Sequence, residues 1–279
     1  MAFKSDGSSH HNGVKNEDNI IEYLKRSVGA PFFNEFDKVE KKGGTKDKND
    51  CLIHNKDGSK KGVSIKNHKN KGSTFDWFNT TCLSGVATKN EALLSLENFI
   101  NENKNIHSEK NSPDLSKDDI EKIKDCKKKE FEKKVDLFLD SLTSQEIHSL
   151  VCKAVLGSRD QYIIINDVPN KSFVGFEASN MRIIKLIEEA HSPSNFSLEK
   201  KSKNKSKPSK SRTIYWGSGA MKEDTHLRLR IVLNNGMSAL LAGKRFSANN
   251  SSSLCVKIQQ ENVSNLINCC EDRKEYEYE

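Results

Sequence analysis

The run Asp50-Cys51-Leu52-Ile53-His54-Asn55, then Asp57-Gly58, then Gly62-Val63-Ser64-Ile65-Lys66, carries the clearest structural signal in the chain. Two strand-like runs, over residues 50–55 and 61–67, flank an Asp-Gly pair, which predicts a β-hairpin. Side chains alternate along a strand, so Val63 and Ile65 share one face and Ser64 and Lys66 the other. The loop decides what meets across the hairpin. A strict two-residue turn at Asp57 and Gly58 would set Asp50 against Ile65. A three-residue loop, or one bulge, brings Asp50 opposite Ser64 or Lys66.

Working outward, Val14, Ile20, Ile21 and Leu24 fall near one face of an expected helix over 14–26, opened by Asn12-Gly13 and stopped by Gly29-Ala30-Pro31. A short strand is expected at 36–41, and Gly43-Gly44 breaks the chain before the hairpin. Glu17, Asp50, Ser64 and Lys66 thus belong to one local unit. An acid-bearing helix and hairpin suit metal-assisted phosphodiester hydrolysis, in which carboxylates hold Mg²⁺ and a cation near the attacking water balances phosphate charge. The plainer readings are turn chemistry at Asp50 beside Asn49, a surface role for Lys66 and an ordinary strand position for Ser64.

The composition narrows the class. Of 279 residues, 34% are hydrophobic and 30% are charged, and the mean hydropathy is −0.74. No apolar run approaches the roughly 18 residues of a membrane span. The polar start, Met1 to His11, shows no apolar signal segment, and a cytoplasmic protein is expected. Seven scattered cysteines without a C-x-x-C pair read as free thiols rather than a disulfide framework or zinc site. His10-His11, His54 and His68 are weaker candidates for metal or phosphate contact, and Phe75, Trp77 and Phe78 read as core. The net charge of +7 suits a polyanion such as nucleic acid.

Helices are expected over 90–103 and 116–140, and Thr143-Ser144-Gln145-Glu146 matches a capping box opening another helix to about Leu156. Tyr162–Ile165 reads as a buried strand, and Ser179 as the cap of a helix over 180–190. The lysine-rich stretch 199–211 reads as a flexible loop. The alternation over His226–Leu233 places Leu227, Leu229 and Ile231 on one face and His226, Arg228 and Arg230 on the other. A turn at Asn234-Asn235-Gly236, a return strand over Met237–Ala242 and a strand over Leu254–Gln259 would follow. Arg228, Arg230, Lys244 and Arg245 are the candidate DNA contacts, because arginine reads guanine bidentately and a β-ribbon fits the major groove.

Asp50-x(13)-Ser64-x-Lys66 resembles the PD-(D/E)xK signature of restriction-endonuclease-like nucleases. Gly13-Val14-Lys15-Asn16-Glu17-Asp18-Asn19-Ile20 is similar to the G-x-K-N-E-x-x-I helix of the HinP-type short-site type II restriction endonucleases. Gly44-Thr45-Lys46 resembles their approach to the catalytic aspartate. The resemblance covers residues 12–70 and, loosely, 210–267, through Gly217-Ser218 and Gly243-Lys244. It implies an α/β fold with a restriction-endonuclease-like mixed central sheet flanked by helices, a helical insert and a β-rich C-terminal half. The implied organisation is a disordered lead over 1–11, one nuclease domain over 12–267 and an acidic tail over 268–279. Within the domain, 12–89 is the catalytic core, 90–157 the helical insert and 158–267 the DNA-recognition half. The implied function is Mg²⁺-dependent hydrolysis of double-stranded DNA at a short, four-base GC-containing site, by a monomer or homodimer. Asp50 would be the central metal ligand, joined by the Ile65 carbonyl and by Glu17 directly or through water. Lys66 would be the catalytic lysine. Ser64 stands where the signature has an acid, and a hydroxyl is a weaker ligand for a hard cation. The rival expectations are a same-fold nuclease of DNA repair, recombination or RNA processing, and a non-catalytic DNA-binding protein.

Overall fold

The computed structural model describes residues 8–28, 36–42, 49–68, 74–76, 81–82, 90–104, 116–157, 159–189, 195–200, 208–233, 236–242, 252–259, 270 and 272–278. In chain order the elements are α1 (Ser8–Arg26), β1 (Phe36–Lys41), β2 (Cys51–Asn55), β3 (Lys60–His68), β4 (Thr74–Asp76), β5 (Thr81–Cys82), α2 (Glu91–Asn103), α3 (Lys117–Ser141) and α4 (Ser144–Leu156). There follow β6 (Gln161–Asp167), β7 (Ser172–Glu177), α5 (Arg182–Glu189), β8 (Phe196–Glu199), β9 (Ser211–Trp216), β10 (Glu223–Leu233), α6 (Gly236–Ala242), β11 (Ser252–Gln259) and β12 (Lys274–Glu277). Gly43, Gly44, Thr45, Lys46, Trp77, Phe78, Gly243, Lys244 and Arg245 lie outside the described residues, as do the side chains of His10, His11, His68 and Phe75. Among the described residues no helix is long and apolar enough to cross a membrane.

The protein is mixed α/β. Where the sequence suggests one domain over 12–267, the chain divides into two compact units whose segments alternate. Unit 1 comprises Met1–Trp77, Leu156–Glu189 and Gln259–Glu279, and unit 2 comprises Phe78–Val155 and Ala190–Ile258.

Unit 1 is built on a sheet of order β1-β2-β3-β6-β7-β12. Its strands pair antiparallel except β3 and β6, which run parallel from Gly62↔Gln161 to His68↔Asp167. A parallel pair needs a long crossover, and the segment that supplies it contains α2, α3 and α4. Ile20, Ile21 and Leu24 of α1 pack into one core with Phe36, Ile53, Val63, Ile65, Tyr162, Ile164 and Phe173. Residues 17, 20, 21 and 24 are spaced to lie along one helical face, so the stripe that buries α1 also carries Glu17. Ile163 and Phe176, on the other face of the sheet, are fully buried as well.

Unit 2 holds an antiparallel sheet of order β5-β11-β10-β9-β8. Ser116 caps α3 and Asn90 caps α2, each side chain accepting an N–H of the first turn. The capping box at α4 is present: Thr143 Oγ1 accepts the Glu146 N–H at 3.3 Å, and Glu146 accepts the Thr143 N–H at 2.8 Å. Leu227, Leu229 and Ile231 form the buried face of β10, each at 0% exposure.

Several expectations change. Met237–Ala242 is helix α6 rather than a return strand, with Met237, Leu240 and Leu241 buried at helical spacing. A short apolar run satisfies either period, and packing chose between them. Helix α1 starts at Ser8, inside the stretch expected to be disordered. Strands β7 and β9 lie where no strand was expected. The expected acidic tail contains β12, whose Tyr276 stacks on Phe173 at 5.1 Å and whose neighbour Tyr278 donates to Asn166 Oδ1 at 2.6 Å. Alternating tyrosines give this charged segment an apolar face, which composition alone conceals.

Candidate active site

The hairpin adopts one of the loops that brings Asp50 into place. Asn55 donates its N–H to the Ser59 carbonyl at 2.9 Å, closing a three-residue loop of Lys56, Asp57 and Gly58. Gly58 has φ +82°, a left-handed conformation that glycine takes without steric cost. The ladder runs from His54↔Lys60 to Cys51↔Val63, so Asp50, the next residue out, falls opposite Ser64.

Asp50 is held on three sides. Its N–H donates to the Val63 carbonyl at 2.9 Å, and its carbonyl accepts the Lys42 N–H at 3.0 Å. Its carboxylate Oδ2 accepts the Ile65 N–H at 2.6 Å. A carboxylate fixed by a main-chain donor presents its remaining surface in one orientation. The residue before it is fixed too: Asn49 Oδ1 accepts from Gln161 Nε2, at the start of β6, at 2.9 Å.

Glu17 projects from α1 and is half-buried. Burial raises its pKa above the usual value near 4.5, and the Asp50 charge raises it further, while Lys66 and Lys41 pull the other way. Glu17 is therefore within electrostatic reach of both Asp50 and Lys66. The neighbouring Asp18 is occupied differently, pairing with Lys41 at 2.5 Å. Lys66 is half-buried on β3. Ser64 is buried, at 4% exposure. The Cys51 thiol is pushed up to about 12, by burial first and then by the Asp50 charge, so it packs rather than reacts. His54 engages Glu40 at 3.0 Å, and Lys42 and then His54 hold the Glu40 carboxyl down to about 2.

The donor set is oxygen-only, two carboxylates with nearby main-chain carbonyls, and that chemistry fits Mg²⁺. Among the described residues no group of three or more His, Cys, Asp or Glu side chains is arranged to hold a metal. Mg²⁺ keeps several waters and takes only one or two carboxylates, so two acids suffice for it where they would not for a dedicated cage.

The arginines of β10 belong to unit 2. Arg228 lies opposite Thr213 and Lys257, and Arg230 opposite Ser211 and Cys255. Arg228 is 9% exposed and its Nη2 is enclosed without a hydrogen-bond partner among the described residues. Arg230 is half-buried and therefore more open than Arg228. Beside them β10 bulges between Asp224 and Arg228, and His226 sits at φ 60° with its N–H donating to Asp224 Oδ1 at 2.7 Å.

The structure thus brings Glu17 within electrostatic reach of Asp50 and of Lys66, with Ser64 and Ile65 beside Asp50. The sequence did not single out Gln161 or the side-chain role of Asn49. Asn-Asp before a strand signals only a turn, and Gln161 lies 112 positions from Asn49. No protein-family model and no curated protein matches this chain.

Proposed function

We propose that unit 1 is the catalytic core of a Mg²⁺-dependent endonuclease of the restriction-endonuclease-like PD-(D/E)xK type, cleaving double-stranded DNA at a short specific sequence. The observation that carries this is the hairpin geometry: the Asp50 carboxylate is fixed by the Ile65 N–H at 2.6 Å, opposite the strand that carries Ser64 and Lys66. The electrostatics of Glu17 support it: burial first, and then the Asp50 charge, raise its proton affinity, while the Lys66 charge lowers it. Perturbed acids grouped with a cation are a signature of reacting sites.

Asp50 and Glu17, with the Ile65 carbonyl, would hold the ion, which when bound supplies Lewis-acid charge at the scissile phosphate. Asp50 fixes its position, because its carboxylate cannot turn without losing the Ile65 N–H. Lys66 provides a compact positive charge where negative charge develops in the transition state. Ser64 adds a hydroxyl opposite Asp50 in place of an acid and leaves the anionic donors to Asp50 and Glu17. Arg230 and the net charge of +7 support DNA as the partner, through phosphate or base-edge contacts.

Incubating the protein with supercoiled plasmid and Mg²⁺ tests this. Discrete bands are expected, lost in Asp50→Ala and Lys66→Ala. A smear instead of bands would favour a repair or processing nuclease of the same type. Metal-independent binding with no cleavage would favour the non-catalytic DNA-binding protein, which the serine at position 64 allows.

A further inference from the structure

Asp50 is attached to the chain by a residue with a side-chain bridge of its own. The Asn49 amide lies flat across β3 at Gly62, where a Cβ added to the glycine would meet Asn49 Oδ1 at 2.1 Å, Cγ at 2.6 Å and Nδ2 at 3.0 Å. From there Asn49 Oδ1 reaches Gln161 Nε2 at 2.9 Å. Gln161 is the register partner of Gly62 on the parallel strand β6. The amide therefore spans β3 over its one residue without a side chain and is tied off on the next strand. Immediately after it come the Asp50 N–H bond to Val63 and the Asp50 carboxylate bond to Ile65.

We propose that Asn49 and Gln161 are positioning residues for Asp50, and that Gly62 is the seat that makes their bridge possible. The bridge fixes the backbone entering β2, and with it the direction of the Asp50 carboxylate toward the cation. This rests on the nuclease proposal above. Outer partners that orient a metal ligand commonly change metal affinity about 10–100-fold when removed.

The test uses the full-length protein and reads Mg²⁺ binding directly by titration calorimetry, with no DNA present. The thermal midpoint and the Mg²⁺ midpoint of plasmid cleavage are measured beside it. Gln161→Leu and Asn49→Ala should each weaken Mg²⁺ binding about 10-fold while the protein stays folded. Gly62→Ala should do the same, because its methyl displaces the Asn49 amide. In the double variant Asn49→Ala/Gly62→Ala the methyl has nothing left to displace, so binding should be no weaker than in Asn49→Ala alone. A purely structural bridge would lower the thermal midpoint and leave Mg²⁺ affinity unchanged, and that result overturns the proposal. Additive losses in the double variant would also overturn it. Asp50→Ala separates the two levels. If it abolishes Mg²⁺ binding while Gln161→Leu binds like wild type, the positioning role falls and the nuclease proposal stands. If wild type neither binds Mg²⁺ nor cleaves DNA, both fall.

Discussion

Two charged clusters in this molecule obey opposite electrostatics. In unit 2, Arg212 is 1% exposed, yet every arm of its guanidinium is engaged. Its Nη2 donates to Asp136 Oδ1 at 2.8 Å and Asp140 Oδ1 at 2.7 Å, its Nε to Asp140 at 3.1 Å, and its Nη1 to the Ser209 carbonyl at 3.1 Å. Burial works to raise the Asp136 pKa, but hydrogen bonds from Lys200, Ser209 and Arg212 outweigh it and hold the group below its usual value. In unit 1, burial raises Glu17, and the Asp50 charge raises it further. The first cluster is closed: charge meets counter-charge and Asp136 ionises readily. The second is open: the Asp50 charge adds to the effect of burial on Glu17, and Lys66 and Lys41 offset it only in part. A closed cluster ties α3 to β9, whereas an open one is suited to a cation from solution.

The largest expected effect breaks the open cluster. Asp50→Ala should lower the rate of Mg²⁺-dependent plasmid cleavage at least about a thousandfold, equivalent to ~4 kcal/mol. Cleavage by this variant at the wild-type rate would remove Asp50 from the chemistry. Next comes the closed cluster. Arg212→Ala leaves Asp136 and Asp140 without their shared partner, and should cost about 3–5 kcal/mol in urea unfolding. A loss below ~1 kcal/mol would mean that the network is ornamental and that the contrast between the clusters fails.

Smaller effects come from titration. The raised Glu17 pKa favours the folded state below the unfolded value near 4.5, and that contribution is lost as pH rises through the folded value. Glu17→Gln should therefore be more stable than wild type at pH 7 without metal. The difference should vanish in acid below the unfolded value, and Mg²⁺ should narrow it by stabilising wild type alone. A difference independent of pH in thermal unfolding would contradict the repulsion between Glu17 and Asp50. The smallest effect belongs to Glu40. Its carboxyl is held down to about 2, so its contribution is present above the usual value near 4.5 and fades as pH falls through about 2. Because solvent reaches about a third of the Glu40 side chain, Glu40→Gln should lower the thermal midpoint only slightly at pH 7 and not at all near pH 2. A large shift at neutral pH would place Glu40 in the open cluster.

How much of this was legible beforehand differs from element to element. The hairpin, the start of α4 and the buried stripe of α1 depend on residues a few positions apart, and turn, cap and periodicity state them directly. Strand β1 was expected at residues 36–41 and spans Phe36–Lys41. The loop was legible only as alternatives, since Asp57-Gly58 permits a two-residue turn as readily as the three-residue loop that is formed. Strand β12 was hidden because its net composition is acidic, and only packing of Tyr276 against Phe173 and Tyr23 reveals its apolar face.

By itself the sequence determined which residues could form the site: Glu17 on a helix, Asp50 and Lys66 on a hairpin. The reason is that each of these elements closes over a short span, where little chain entropy opposes local signals. The tertiary structure decided what those residues experience. It joined β3 in parallel to β6 across a long crossover, set Gln161 against Asn49, and chose helix over strand at Met237–Ala242. It also buried half of Glu17 and set it within reach of the Asp50 charge, and both raise its proton affinity. Such pairings depend on long-range closure and on burial in low dielectric, and neither is written in any short stretch of chain.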